Sequence, residues 1–321
     1  MSTITKENNL STNFQDHLEG LMPEKKIGCG LRTAEFCAGI GGFEHALRRL
    51  GTKNVFACEI NAFARETWKL NNLFSDEFGV DLTRFPTTEI PDHDILCAGF
   101  PCQTFSIAGQ KAGFADMRGT VIFDIARIIS RKRPKAFILE NVRHLVNHDF
   151  GRTLPKILTL LRGLKYDVQY QVLDAQDYGL PQHRERIFIV GIATDLGGLA
   201  GFEFPEPFEL AYSLSQLTGE YCVREASRTI TCGGGGGKLA NGEKNVSFDV
   251  VERVGQQPRR LTQREALRLQ GFPETFVPHP LKKHAKVQVG NAVPPPLVYA
   301  VAHPLIQVLQ NALEVNTRMA A

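Results

Sequence analysis

Cys102 follows the turn Gly99-Phe100-Pro101, which itself leaves the apolar run Asp94-Ile95-Leu96-Cys97-Ala98. A run of that kind reads as a buried strand, and the proline constrains the turn after it. The thiol is thereby set at the carboxyl end of a sheet, where open α/β proteins hold their ligands. A thiolate is a soft nucleophile that can add to an electron-poor ring, although a buried, inert cysteine fits the same residues. Two other places bear on the choice. Upstream, Gly39-Ile40-Gly41-Gly42 forms a turn whose amides can approach a small molecule closely, as they would also in a dinucleotide fold. Downstream, Glu140-Asn141 ends another apolar run. Glu59 ends the strand after the glycine turn, where a carboxylate can accept from ribose hydroxyls, and Asp81 is a third acid on the same rim. A solvated strand-end acid explains either of these two equally well.

These positions require a scaffold that alternates strand and helix. From Leu31 the pattern does so: a strand to Phe36, a helix through Phe43, Ala46 and Leu50, a strand from Val55 to Ile60 and a helix from Ala62 to Asn71. A buried strand from Asp94 to Gly99, a helix from Val121 to Ile129, a strand from Ala136 to Val142 and a helix from Leu154 to Leu164 continue it. Tyr166 to Ala175 and Arg186 to Ile192 are late strands, joined by a loop holding Pro181. The alternation predicts a parallel, doubly wound sheet. After Gly191 the texture changes, with Gly197, Gly198, Gly201, Pro205 and Pro207 breaking the pattern and five glycines at Gly233 to Gly237. Thr262 and Glu265 form a capping box, Gly271 closes that helix, and a last helix from Leu297 to about Leu313 is kinked at Pro304. The expected organisation is a polar lead-in at 1–30, flexible or partly helical, a core at 31–190, a small loop-rich insert at 191–258 and a return to the core at 259–321.

Composition sets outer bounds. A chain of 321 residues, 43% hydrophobic and 22% charged, suits a soluble globular enzyme. No stretch reads as a membrane span, and Met1 to Lys26 lacks the apolar core of a signal peptide. Seven cysteines without a CxxC pair argue against a disulfide framework or structural zinc and for a reducing cytoplasm. The net charge of +3 identifies no partner. Arg131-Lys132-Arg133, Arg259-Arg260 with Arg264 and Arg268, and Lys282-Lys283-His284 with Lys286 would suit phosphates, as solvated faces also would.

Together the residues resemble the cytosine-5 DNA methyltransferase family, in its bacterial restriction-modification form of the HhaI type. The similarity runs from Leu31 to the final helix as blocks in the family's order. They are the turn from Ala38 to Phe43, Glu59, Asp81, IPDHDILCAGFPCQTFS at Ile90 to Ser106, GFADMRG at Gly113 to Gly119, and Glu140-Asn141-Val142. LDAQDYGLPQHRERIFIVG at Leu173 to Gly191, RRLTQREALRLQGFP at Arg259 to Pro273 and QVGNAVPPPLV at Gln288 to Val298 complete the series. The order favours the reactive reading of Cys102.

The resemblance implies a Rossmann-like methyltransferase fold, doubly wound and mostly parallel, with a small target-recognition domain. It implies methyl transfer from S-adenosyl-L-methionine to carbon 5 of a cytosine flipped out of duplex DNA, leaving S-adenosyl-L-homocysteine and needing no metal. Cys102 would add to carbon 6, Glu140 would hydrogen-bond or protonate ring nitrogen 3, and Arg186, with Arg184 nearby, would hold the ring oxygen. Carried over for the cofactor are Phe36, Cys37, Ala38, Gly39, Ile40, Gly41 and Gly42, then Glu59, Ile60, Asp81, Leu82, Gly99, Pro101, Asn291 and Ala292. DNA would meet a loop at Pro101 to Thr120 through Gln103, Ser106 and Arg118, and the insert through Arg228, Thr231, Gly234, Gly235, Gly236 and Lys238. The implied partners are double-stranded DNA and a separately acting cognate restriction endonuclease, for a cytoplasmic monomer, bacterial or phage-encoded.

Two departures stand out. Cys37 occupies the place of the family's usual phenylalanine, and Ile60 follows Glu59 where an aromatic often does, so the adenine should meet thinner walls. The insert is short, so few groups would read the target, expected to be a site of about four base pairs. The alternatives are a relative acting on transfer RNA, whose typical Cys-Phe-Thr tripeptide is absent, and a catalytically silent nucleic-acid-binding subunit. Cys102→Ser is expected to abolish methylation without disturbing the fold, since a hydroxyl is a far poorer nucleophile near neutral pH. Wild type should form a denaturant-stable adduct with a duplex carrying 5-fluorocytosine at its target, because fluorine blocks the final elimination. Absence of that adduct removes Cys102 from the role.

Overall fold

A computed structural model describes residues 13–71, 73, 77–100, 121–231, 237–238, 244–245 and 250–320. Strands β1 (Arg32–Phe36), β2 (Lys53–Cys58), β3 (Glu77–Gly79), β4 (Ile95–Gly99), β5 (Ala136–Val142), β6 (Tyr166–Asp174) and β7 (Glu185–Ala193) form one sheet in the order 3-2-1-4-5-7-6. Side chains alternate between its two faces, as a pleated strand requires. Ile95, Cys97, Ala136 and Ile138 join one apolar layer, while Leu96, Ala98, Phe137 and Leu139 join the other. The second layer is covered by α4 (Val121–Lys132) and α5 (Thr153–Gly163), and the buried Ile122, Ile125, Ile128 and Ile129 give α4 its helical stripe. The first layer is covered by α2 (Gly42–Leu47) and by α9 (Pro295–Ala320), which runs through Pro304 as a single helix. The segment 282–318 is long and apolar enough in one window to pass for a membrane span, contrary to expectation, but most of that window is buried inside the protein.

Four parallel pairings join β3 through β5, whereas β7 is antiparallel to both β5 and β6. The sheet is thus doubly wound and mostly parallel, as expected, and its antiparallel strand has a physical reason. Only ten residues, 175–184, connect β6 to β7, and a parallel return needs a crossover of a dozen or more. β7 also runs three residues beyond 190, past the expected end of the core. In the insert, α6 (Leu214–Thr218) starts at a Ser213–Gln216 capping box, and Leu199, Phe202, Tyr212, Leu214, Leu217 and Ile230 share the apolar cluster of α9. The short pairs β8 (Gly237–Lys238) with β9 (Lys244–Asn245), and β10 (Val250–Val251) with β11 (Arg259–Arg260), are antiparallel. Thr262 and Glu265 do form the capping box of α7 (Gln263–Leu269). That helix ends with Gly271 at φ 78 and the paired bonds Gly271 N–H to Arg268 and Phe272 N–H to Leu267, a Schellman closure.

The lead-in is more ordered than its polarity suggests. Residues 13–21 form a helix, α1, whose Phe14 and Leu18 are buried. Its contacts with the rest of the fold reach segments distant in sequence. Phe14 lies 6.0 Å from the ring of Tyr212, His17 stacks on Tyr212 at 4.5 Å, and His17 Nε2 donates to the Gly179 carbonyl at 2.8 Å. Glu274 N–H donates to Gln15 Oε1, and the Tyr299 hydroxyl donates to the Pro23 carbonyl. Phe14→Ala removes a fully buried ring and is expected to destabilise the protein by about 3 kcal/mol, read as a lowered urea midpoint. An unchanged midpoint would mean that α1 adds nothing to the fold.

Candidate active site

β4 and β5 pair in parallel with Gly99 opposite Glu140. The chain leaving β4 therefore passes the carboxyl group at the strand ends. Phe100 N–H donates to the Glu140 carbonyl at 3.3 Å, and Asn141 Nδ2 donates back to the Phe100 carbonyl at 2.8 Å, which fixes the exit. A Cβ on Gly99 would stand 3.3 Å from Glu140 Oε2, so glycine leaves the carboxyl its room. Across the antiparallel pairing Val142 faces Arg186, making Glu140 and Arg186 diagonal neighbours on one face. Arg186 Nε accordingly donates to Glu140 Oε1 at 2.9 Å, and each residue is only 8% exposed. Burial pushes the Glu140 carboxyl above its ordinary pKa, restrained first by the charge of Arg186 and then by that of Arg184. Burial lowers Arg186, and Glu140 opposes it. A carboxyl held up in this way can carry a proton nearer neutral pH than a solvated one.

The glycine turn faces this pair. Cys37, Gly39 and Gly41 have φ of 52, 56 and 86, a left-handed series that glycine adopts freely and cysteine does not. Gly39 N–H donates to Glu59 Oε2 and Asn61 N–H to Glu59 Oε1, both at 2.8 Å. Each carboxylate oxygen keeps a second acceptor position, so Glu59 can still accept from two hydroxyls. Asn61 itself caps α3 (Ala62–Leu70). A Cβ on Gly42 would overlap the Val293 carbonyl, so the segment that follows α8 (Lys282–Asn291) lies directly on the turn. Between them is an open cleft lined by residues of both segments.

Of the expected residues, Cys37, Ala38, Gly39, Ile40, Gly42, Gly99, Glu140, Asn291 and Ala292 line the cleft, joined by Phe43 and Val293, which sequence reasoning missed. Phe43 is legible as the first apolar residue after the turn, whereas Val293 reaches the turn only through tertiary folding. The remaining expected positions stand back from the lining. Phe36 is buried against Phe56, Gly41 packs on Leu73 and Trp68, and Ile60 is 69% exposed beside Glu59. Asp81 accepts from the amide and hydroxyl of Thr83, whose hydroxyl leads in holding its carboxyl below the ordinary value. Leu82 is buried, its carbonyl accepting from Arg127. Arg228 and Thr231 are exposed, and of Lys238 only the backbone is described. Pro101, Cys102, Gln103, Ser106, Arg118, Gly234, Gly235 and Gly236 lie outside the described residues.

Arg184 is placed differently from expectation. Its guanidinium is fully buried and donates to the carbonyls of Ile230, Gly290 and Ala292 at 2.7, 2.9 and 2.8 Å, so it braces backbone instead of facing the cleft. Two basic clusters are likewise engaged within the protein. Arg259 forms a bidentate pair with Glu265 and a further bond to Glu220, Arg268 pairs with Glu274, and Lys132 pairs with Asp92.

Beneath the turn is a buried acidic pair. Glu44 N–H donates to Glu35 Oε2 at 3.1 Å, and the two carboxyl groups are 2% and 5% exposed. Burial, then repulsion from Glu44, raises Glu35 well above its usual value. Burial raises Glu44 to about 7, against the charge of Arg48 and a hydrogen bond from Asn54.

An open sheet whose crevice joins a glycine turn and strand-end acid to a buried carboxyl is the arrangement of S-adenosylmethionine-dependent methyltransferases. Solved methyltransferases share the fold. DNMT2 from Spodoptera frugiperda superposes with a TM-score of 0.66 at 17% identity, covering 87% of this chain and 99% of that one. Dnmt2 of S. pombe gives 0.64 at 19%, covering 88% and 99%. The chain belongs to the C-5 cytosine-specific DNA methylase family, whose model matches residues 31–233 and 223–307. Its activity is methyl transfer to carbon 5 of cytosine in DNA. It is 40% identical to Type II methyltransferase M1.ScrFI of Lactococcus lactis subsp. cremoris over 304 residues, 86% of this chain and 78% of the relative. It is 35% identical to M.HhaI of Haemophilus parahaemolyticus over 299 residues (82% and 90%) and 41% identical to M.NlaX of Neisseria lactamica over 296 (83% and 93%).

The acidic pair gives the turn a pH dependence. With its pKa raised in the fold, Glu44 contributes stability that is complete below its ordinary 4.5 and is lost as pH rises through about 7. A shift of that size corresponds to about 3 kcal/mol. Glu44→Gln keeps the side-chain shape without the ionisation, so its stability relative to wild type should increase from pH 5 to pH 8 in urea titrations. A difference independent of pH would show that Glu44 ionises without penalty.

Proposed function

We propose that the enzyme methylates one cytosine of a short duplex site through a covalent bond to Cys102, as the modifying half of a restriction-modification system. The observation that carries this reading is the register of β4 and β5, which puts Gly99, three residues before Cys102 in the sequence, opposite Glu140, itself held by Arg186. Cys102 follows Phe100 by two residues, so at most about 7.6 Å of chain separates their Cα atoms.

The cleft suits S-adenosyl-L-methionine: the glycine turn would meet its polar tail, Glu59 the ribose hydroxyls, Cys37 and Ile60 the adenine faces, and Asn291 and Ala292 would close the rim. When bound, the cofactor supplies an electrophilic methyl group to a nucleophile. The protein's task is to create that nucleophile. The Cys102 thiolate would bond to carbon 6 of the flipped cytosine, moving the ring's electron pair toward carbon 5. Glu140, raised by burial, would donate a hydrogen bond or proton to ring nitrogen 3 as charge builds there. Arg186 would keep that carboxyl oriented and offer its remaining N–H groups to the ring oxygen. Loss of the carbon 5 proton and expulsion of the thiolate then restore the aromatic ring. Thr231 and Arg228 are exposed at the edge of the insert and suit contacts with DNA, while DNA contact by Gln103, and a grip on phosphates or filling of the vacated space by Ser106 and Arg118, rest on the sequence resemblance. The Type II relatives named from bacteria support a cytoplasmic setting and a cognate endonuclease.

Tritiated methyl transfer from S-adenosylmethionine should label duplex DNA and leave transfer RNA unlabelled, and bisulfite sequencing of plasmid from an expressing cell should map the site. Labelling of transfer RNA alone would overturn the reading. Glu140→Gln is expected to lower kcat by roughly 100-fold or more while DNA and S-adenosylhomocysteine still bind, since the amide fills the same space without the proton. Turnover within a few-fold of wild type would exclude activation at ring nitrogen 3 by this residue.

A further inference from the structure

The residues that tie the insert to the cleft form one buried polar knot. Gln182 is fully buried: its Oε1 accepts from Ile230 N–H at 2.9 Å, and its Nε2 donates to the Leu269 carbonyl at 2.8 Å. Arg184 takes the other side of the same peptide, donating to the Ile230 carbonyl at 2.7 Å, and with its other terminal nitrogen holds the carbonyls of Gly290 and Ala292. Gln270 extends the knot by donating to the Val289 carbonyl at 2.6 Å. Around it the backbone is zipped: Ser227 N–H bonds to Pro181, His183 N–H to Ser227, and the Thr229 hydroxyl to His183. Ile230 thus has both backbone groups clamped by the loop that leads into β7. Asn291, which lines the cleft, sits between the two carbonyls that Arg184 holds.

We propose that Gln182 and Arg184 are positioning residues that hold the DNA-facing backbone at Thr231 and the cofactor rim at Asn291 to Val293 in a single fixed geometry before either ligand arrives. The inference rests on the reading above, that the rim meets the cofactor and the Thr231 segment meets DNA. The chemistry explains the residue types. A guanidinium presents a rigid fork able to span carbonyls from two segments, which a compact ammonium cannot. An amide side chain can accept from one backbone group through its oxygen and donate to another through its nitrogen. Buried backbone groups that lost these partners would have no water to replace them, so each segment would sample other conformations.

This role has a signature that simple loss of stability lacks. If the brace prepays the ordering of both segments, loosening it leaves the competent geometry only partly populated, and each ligand alone binds more weakly. Whichever ligand binds first then restores the geometry for the other, so the coupling between the two increases. The measurement is the Kd of S-adenosylhomocysteine by calorimetry, with and without a duplex carrying the mapped site, and the Kd of that duplex with and without S-adenosylhomocysteine. Arg184→Lys should weaken each ligand alone by roughly tenfold, and saturation with either should bring the other back to within about threefold of wild type. Gln182→Met should behave alike. Unchanged affinities, or weakened affinities that the second ligand does not rescue, would overturn the proposal. Should both variants fail to fold, amide exchange in ligand-free wild type decides, with slow exchange at the Ser227 and Ile230 amides required and rapid exchange there refuting the brace. Wild type that binds neither ligand would instead refute the functional reading on which the inference rests.

Discussion

Glu140 is a carboxyl group with almost no water around it, and much of the site follows from the way that is tolerated. A buried acid left alone would simply stay protonated, and one paired too well would stay ionised. Burial and the Arg186 charge act on it in opposite directions, with burial the larger. The arginine can be there only because β7 returns antiparallel beside β5, placing residue 186 across from Val142 and diagonal to Glu140. A parallel strand at that position would require a crossover helix and would deliver its side chains from the opposite end. The mixed sheet and the tuned acid are thus one constraint seen at two scales.

Similar reasoning applies beneath the glycine turn. Three left-handed residues place the turn's amides toward the cleft and Glu59, and the turn is tightened by Gly42 packing on Val293. The helix that follows begins over Glu35, whose carboxylate accepts the Glu44 amide. The same contact brings two acids together in a region closed to water. The platform on which a cofactor would rest is therefore built from groups that share a limited capacity for negative charge.

The parts of this arrangement that were legible in the sequence are those fixed locally. Apolar runs ending in Gly99 and in Glu140-Asn141 read as buried strands, and a doubly wound sheet puts their carboxyl ends on one edge. The glycine turn declared itself because few other residues tolerate its backbone. What escaped notice depends on contacts between distant segments. Arg184 and Arg186 are two apart and look equivalent, but β7 begins at Glu185, so strand alternation orients the second and not the first. Helix α8 buries Ala285, Gln288, Val289 and Gly290, a set too polar to show an apolar stripe. β3 is three residues long, below what a pattern can reveal. The basic clusters misled because charge alone does not say whether an acid, such as Glu265 or Glu274, will fold against it.

The placement of α1 has a consequence for how the molecule is made. Its partners are Gly179, Tyr212, Glu274 and, through Pro23, Tyr299, all of them synthesised long after α1 leaves the ribosome. While the sheet assembles strand by strand, α1 lacks these partners. Tyr212, whose ring meets both Phe14 and His17, is made roughly 10 to 40 s after them at ordinary elongation rates. The earliest helix among the described residues is thus made long before the segments it docks against.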